Sequence, residues 1–153
     1  MTETVRSIIG ARRLIYVDPA ASVTEACRRM RGSRIGCLAV VSDGQLAGVL
    51  SERDVIVRAV AEEKNPALTP VSAVMTPDPW TIDIDDPLSK ASEIMAAGAF
   101  RHLPVIEDGY AVGMISVRDF PGFAYSAGPR AAWPDMAGPE AENGGMGSGV
   151  MPQ

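Results

Sequence analysis

Gly48-Val49-Leu50-Ser51-Glu52-Arg53-Asp54 and Gly113-Met114-Ile115-Ser116-Val117-Arg118-Asp119 are one pattern written twice, 65 residues apart. The same shift aligns Asp18 with Asp83, Ala26 with Ala91, Met30 with Met95, Leu38 with Leu103, Val40 with Val105, and Asp43-Gly44 with Asp108-Gly109. No gap is needed from Asp18 to Val55. Biased composition scatters matches, but it does not hold turn glycines, an apolar helix face and a polar pair in one register. The chain is therefore read as an internal duplication.

Around these two stretches, each copy predicts the order strand, helix, strand, strand, helix. In the first, Ile15-Tyr16-Val17 is a short strand ended by Asp18-Pro19. Ser22-Val23-Thr24-Glu25 is a capping box, in which a serine hydroxyl satisfies a free N–H of the first turn. Val23, Ala26, Cys27 and Met30 then fall on one helical face. The second copy has Asp86 as N-cap, Pro87 at the first helical position, and the matching face Leu88, Ala91, Ser92 and Met95. Apolar runs at 37–41 and 46–50 are joined across Asp43-Gly44, a hairpin signal that Asp108-Gly109 repeats. A helix is expected from Ser51 to about Glu63. The expected fold is an α/β (α+β) pair of repeats packed sheet to sheet about a pseudo-two-fold axis and burying one core, because a single unit cannot cover both faces of its sheet. The copies are bounded at 1–65, including a lead-in helix at Val5 to Ile9, and at 66–125, with Val71 to Met75 as the second lead-in. A Gly/Pro/Ala-rich segment, 126–153, reads as a disordered tail.

With 153 residues and 46% hydrophobic content the chain has enough apolar surface for a core. Two cysteines make no disulfide framework, the first ten residues lack the apolar run of a signal peptide, and no stretch approaches a membrane span. A cytoplasmic setting without membrane contact is expected. The net charge of -5 argues against nucleic-acid binding, which needs excess Lys and Arg to displace counterions. The charge is uneven, since residues 1–65 carry ten basic and eight acidic side chains, whereas 66–125 carry three and eight. Arg28, Arg29, Arg31 and Arg34 thus form a basic cluster within an acidic protein.

The two repeated stretches resemble the signature that closes a CBS (cystathionine beta-synthase) repeat: glycine, two apolar residues, Ser or Thr, two variable residues, Asp. Val74-Met75-Thr76 and Arg101-His102-Leu103-Pro104-Val105 support the resemblance, which covers roughly residues 4–120. It implies a CBS pair, or Bateman module, with two clefts that take AMP, ADP, ATP, S-adenosylmethionine or a related adenosyl ligand. It also implies homodimerisation and regulation of a partner protein, here unknown.

Ser51 and Ser116 fall where a strand turns into a helix, where free N–H groups and the helix dipole favour an anion. Asp54 and Asp119, three residues on, offer acceptor-only carboxylates suited to the vicinal hydroxyls of a ribose. The competing reading is that Ser-x-x-Asp merely caps the helix. Arg101 and His102 add basic groups at the strand entrance of the second copy, and Arg pairs with phosphate bidentately. Their counterparts, Gly36 and Cys37, are expected to line the cleft wall near Asp119 without charge, so the clefts should be unequal. One histidine and two cysteines give no chelating spacing, no nucleophile arrangement appears, and no cofactor is required, so neither a metal site nor catalysis is expected. The expected function is a stand-alone, non-enzymatic ligand sensor; the alternative is a dimerisation or docking module without ligand. Phe120-Pro121-Gly122-Phe123 is expected to interrupt the last helix.

Overall fold

In the computed structural model, which describes residues 2–120, the Asp-Gly dipeptides form the hairpins that organise both copies. Asp43 and Gly44 have φ of 51° and 78°, and Asp108 and Gly109 have 50° and 84°. Two successive positive φ values match a type I′ turn, whose twist suits a two-residue hairpin. The first turn joins β2 (Cys37–Ser42) to β3 (Gln45–Ser51), and the second joins β6 (His102–Glu107) to β7 (Tyr110–Ser116). Strand β1 (Tyr16–Val17) runs parallel to β2 with Val17 opposite Val40, and β5 (Ile82–Asp83) runs parallel to β6 with Ile82 opposite Val105. Both pairings obey the offset of 65 seen in the sequence.

Between first and second strands lie α2 (Val23–Ser33) and α4 (Leu88–Gly98). Helix α2 is capped as expected, Ser22 Oγ accepting from the Glu25 N–H at 3.1 Å. The reciprocal half of the box is absent, because Glu25 pairs with Arg29 at 3.2 Å. Helix α4 departs from expectation: it begins at Leu88 with Pro87 in the cap position. Asp86 instead accepts from the Asp83 N–H and from Lys90 Nζ, at 3.2 and 2.8 Å, holding the turn that leads into the helix.

Apolar side chains gather into two clusters, one per copy, where a single shared core was expected. Val23, Ala26 and Met30 of α2 pack with Leu38, Val40 and Leu50; Leu88, Ala91 and Met95 of α4 pack with Leu103, Val105 and Ile115. The opposite face of β2, carrying Cys37, Ala39 and Val41, is buried as well, where β2 and β3 meet β7. Small side chains dominate that seam, so each copy keeps its own large-residue core.

The lead-in segments are exchanged between the copies. Helix α1 (Val5–Ile9) precedes the first copy, yet Val5 and Ile9 belong to the core of the second. The Val5 and Arg6 N–H groups donate to the carbonyls of Asp86 and Ile84 at 3.0 and 2.7 Å. Conversely, the 3₁₀ turn Val71–Ala73 precedes the second copy, but Val71 and Val74 sit in the core of the first. Strand β4 (Thr76–Pro77) then adds to β3, giving the orders β1-β2-β3-β4 and β5-β6-β7. The repeated glycines make room for these crossings. A Cβ at Gly48 would lie 2.6 Å from the Thr76 carbonyl oxygen, and one at Gly113 would lie 2.9 Å from Ile9 Cδ1.

The copies diverge at their ends. The first continues from α3 (Glu52–Val55) into a π-helical stretch, Ile56–Val60, whereas the second has only the 3₁₀ turn Val117–Asp119. Phe120 is extended, with φ -88° and ψ 122°. Pro121 accounts for this, because its ring excludes the helical conformation at the residue before it. The expected tail, 126–153, and residues 121–125 lie outside the described residues.

Candidate functional site

Each serine of the repeated signature ends a strand and caps the helical turn after it. Ser51 Oγ accepts from the Asp54 N–H at 3.2 Å, and the Ser51 N–H and hydroxyl both donate to Asp54 Oδ2, at 2.9 and 3.0 Å. In the second copy the Ser116 N–H donates to Asp119 Oδ2 at 2.8 Å, and Ser116 Oγ accepts from the Arg118 N–H at 3.2 Å. Both signatures therefore form capping boxes, the local interaction that their spacing suggests.

The second oxygen of each carboxylate is held by the exchanged lead-ins. Thr76, on β4, donates its hydroxyl to Asp54 Oδ1 at 3.1 Å. Arg58 stands 4.0 Å from the same oxygen and donates to the Met75 carbonyl at 2.7 Å. Asp119 Oδ1 instead takes an ion pair from Arg12, in the loop after α1, at 2.7 Å. Asp54 is buried, its side chain 11% exposed. The Asp119 side chain is 13% exposed while its Arg12 partner is 53% exposed, so that lid is a surface group. Neither Thr76 nor Arg12 was among the candidates drawn from the sequence. The offset pairs them with Ala11 and Pro77, so no repeated residue type marks them.

The other four candidates occupy matching places beneath the signatures. Cys37 lies opposite Ser51 in the β2–β3 ladder, and His102 opposite Ser116 in β6–β7. The Gly36 carbonyl accepts from the Glu52 N–H at 2.9 Å, and the Arg101 carbonyl accepts from the Val117 N–H at 3.0 Å. A Cβ at Gly36 would come 3.0 Å from the Glu52 carboxyl carbon, so this glycine leaves space for an acidic side chain of its own copy. Burial, and then the nearby Asp54 charge, push the Cys37 thiol up to about 12. Burial lowers the pKa of His102, assisted by Arg101 and Arg118, while Asp119 and Glu52 pull it upward. His102 thus senses carboxylates from both copies. The structure brings the eight candidates together as two sets of four, Gly36, Cys37, Ser51 and Asp54 in one and Arg101, His102, Ser116 and Asp119 in the other.

Two depressions lie away from these carboxylates. One, of about 440 Å³, runs between α2 and the π-helical stretch of the first copy; the other, of about 390 Å³, is bordered by Gln45, Asp78, Thr81 and Ile106. With Arg12 and Thr76 in place, the Asp119 and Asp54 carboxylates are covered. Among the described residues no cluster of three or more His, Cys, Asp or Glu side chains is arranged to hold a metal ion, and no helix is long and apolar enough to cross a membrane.

The CBS domain family model matches residues 5–60 and 71–120, and so takes in both signatures and both exchanged lead-ins. The chain belongs to the CBS domain family. A CBS domain-containing protein of Arabidopsis thaliana, CBSCBSPB5, is 35% identical over 106 residues, 69% of this chain. The chain spans only 19% of that relative's length. The Bacillus subtilis CBS domain-containing protein YhcV is 32% identical over 103 residues, covering 67% of this chain and 73% of YhcV. Among solved structures, a CBS-domain containing protein from Agrobacterium tumefaciens is similar with a TM-score of 0.68 at 30% identity, over 78% of this chain and 91% of that one. A CBS domain protein from Pyrobaculum aerophilum complexed with AMP has a TM-score of 0.70 at 26% identity, over 76% and 89%. The tandem CBS fold expected from the duplicated signature is the fold found.

Proposed function

We propose that this CBS pair is a non-catalytic regulatory module that binds an adenine nucleotide or a related adenosyl ligand at its Ser-x-x-Asp signatures and so alters what a partner protein meets. The reading rests on the state of Asp119. Its carboxylate lies at a strand-to-turn junction beside Ser116 and His102, and its outer oxygen is closed by the exposed Arg12. An exposed ion pair of this kind contributes roughly 0.2–1 kcal/mol, so a ribose diol that offers two hydroxyl donors can replace it. The released guanidinium, together with Arg101 and Arg118, then faces the ligand's phosphate. The AMP complex of the Pyrobaculum relative supports the ligand class. Asp54 is held by Ser51 and by the Thr76 hydroxyl on a paired strand, and its side chain is about as covered as that of Asp119, so the two sites differ in what closes them.

Thermal melting with AMP, ADP, ATP, S-adenosylmethionine and cyclic dinucleotides tests the proposal. A ligand at 100 times its Kd adds about 2.7 kcal/mol of stability. Asp119→Ala should abolish the ligand-induced rise in Tm, whatever it does to the unliganded Tm. A panel in which no compound moves the melting curve would overturn the reading. It would favour the second one, a docking module in which both signatures serve only as caps. That alternative has its own support in the two complete capping boxes. It predicts a loss of about 1 kcal/mol on removing either aspartate and no other effect.

A further inference from the structure

The two strand entrances carry opposite charge. The second copy presents Arg101 and His102 where the offset of 65 gives the first copy Gly36 and Cys37. At the residue after the signature serine the contrast reverses, the first copy having Glu52 and the second Val117. The Glu52 carboxylate folds back over its own strand entrance. A Cβ at Gly36 would lie 3.0 Å from its carboxyl carbon and 3.1 and 3.3 Å from its two oxygens, so only a glycine leaves it this resting place. Glu52 is exposed and makes no ion pair with another described residue. From there its charge reaches across the seam between the copies to His102, whose pKa it raises, as Asp119 does, against the lowering by burial and then by Arg101 and Arg118. His102 is thus surrounded by the guanidiniums of Arg101 and Arg118, the Asp119 carboxylate with its partner Arg12, and Glu52. Without Glu52 the three guanidiniums exceed Asp119 by two charges, enough to match a phosphate monoester of about -2. Glu52 cancels one of the two.

We propose that Glu52 is a built-in counter-ion, a carboxylate delivered by the first copy to the basic wall of the second, and that it sets which adenosyl ligands the Asp119 site accepts; this rests on the ligand class proposed above. A phosphate entering beside Arg101 and Arg118 must displace Glu52 or lie against its charge, whereas adenosine and the sulfonium of S-adenosylmethionine meet no such repulsion. Selectivity is then carried by a variable position of the signature, and by the copy opposite the one whose aspartate holds the ribose.

Two measurements on the full chain compare wild type with Glu52→Gln. The first needs no adenine ligand, because His102 is the only histidine in the sequence and its ring signals can be titrated by NMR. Removing a carboxylate that favours the imidazolium should lower the His102 pKa, and Glu52→Asp should restore part of the difference. Pyrophosphate should shift the same signals at lower concentration in Glu52→Gln than in wild type. The second is calorimetric titration with adenosine, AMP and ATP. Glu52→Gln should tighten AMP roughly fivefold or more, with a larger gain for ATP and the smallest for adenosine, because the repulsion removed grows with ligand charge. Glu52 also lies in the first turn of α3, where a carboxylate suits the helix dipole. That role alone predicts a lower Tm with the His102 pKa and the order of affinities unchanged, and this result overturns the proposal. So does a gain that is equal for adenosine and ATP. If His102 and pyrophosphate respond as expected but no adenine compound binds either protein, the adenosyl reading falls and the counter-ion role of Glu52 stands.

Discussion

Replacing Gly48 by alanine tests the exchange of lead-ins on which the site depends. The new Cβ would lie 2.6 Å from the Thr76 carbonyl oxygen and 2.8 Å from Met75 Sδ. Both distances are well inside the ~3.5 Å at which such contacts become favourable. The sulfur can swing aside, but the carbonyl belongs to β4, where Gly48 faces Pro77 and Val49 faces Thr76. Relief therefore requires β4 to move away from β3, which also draws the Thr76 hydroxyl off Asp54. Overpacking of a rigid contact costs about 1–3 kcal/mol, and a lost hydrogen bond adds about 1 kcal/mol. For a domain of this size 1 kcal/mol corresponds to roughly 3–5 °C in Tm, so Gly48→Ala should melt about 10 °C below the wild type. Gly113→Ala should be milder. Its Cβ meets Ile9 Cδ1, the tip of a side chain, at 2.9 Å. Removing that tip with Ile9→Val should cost less in the Gly113→Ala background than alone, a coupling that a double-mutant cycle measures. Urea and thermal unfolding of the five proteins provide the numbers. Gly48→Ala melting within about 2 °C of the wild type, or Gly113→Ala proving the worse of the two, would refute the account of these crossings.

Protonation offers a check on His102. Burial holds its pKa below the unfolded value of 6.5, so the unfolded chain takes up the proton first as pH falls. Stability contributed by the neutral ring is present above pH 6.5 and declines below it, and His102→Gln should flatten the dependence of Tm on pH in that window; identical slopes for the two proteins would exclude this origin. Thiol chemistry separates the cysteines. Cys37 is buried with its pKa pushed up to about 12, whereas Cys27 is only partly buried, so at about pH 8 a disulfide reagent should titrate one thiol in the native protein and the second only after denaturant is added. Equal rates for both would contradict the burial of Cys37.

The duplicated hairpin was legible because its information is local. Asp-Gly demands positive φ, the short apolar runs on either side of it mark paired strands, and Ser-x-x-Asp closes a capping box, so 37–54 and 102–119 were readable from residue types alone. The start of α4 was misjudged by one position, since Asp86 is as good an N-cap as any but is recruited by Lys90 and the Asp83 N–H. Lead-in exchange was invisible for a different reason. Five residues at Val5–Ile9 and three at Val71–Ala73 are too short for a periodic pattern to tell which core they enter. Only Gly48 and Gly113 betray the crossing, and a glycine in a strand signals a close neighbour without naming it.

That exchange explains why the two carboxylates of the signature are not equivalent, although the sequence repeats them faithfully. Each Ser-x-x-Asp satisfies one carboxylate oxygen within its own copy and leaves the other to whatever the crossing segment delivers. The first receives a threonine hydroxyl on a paired strand, and the second receives an arginine on a loop. A hydroxyl held in a ladder and a solvated guanidinium differ in how readily they give way. Both acids also sit where a segment leading into one copy crosses the other, so a ligand that engages Asp119 must displace or share Arg12, and with it the chain that leads into β1. Under the proposed function, binding at this seam would therefore act on the relation between the copies, whereas the same chemistry within one copy would leave that relation untouched.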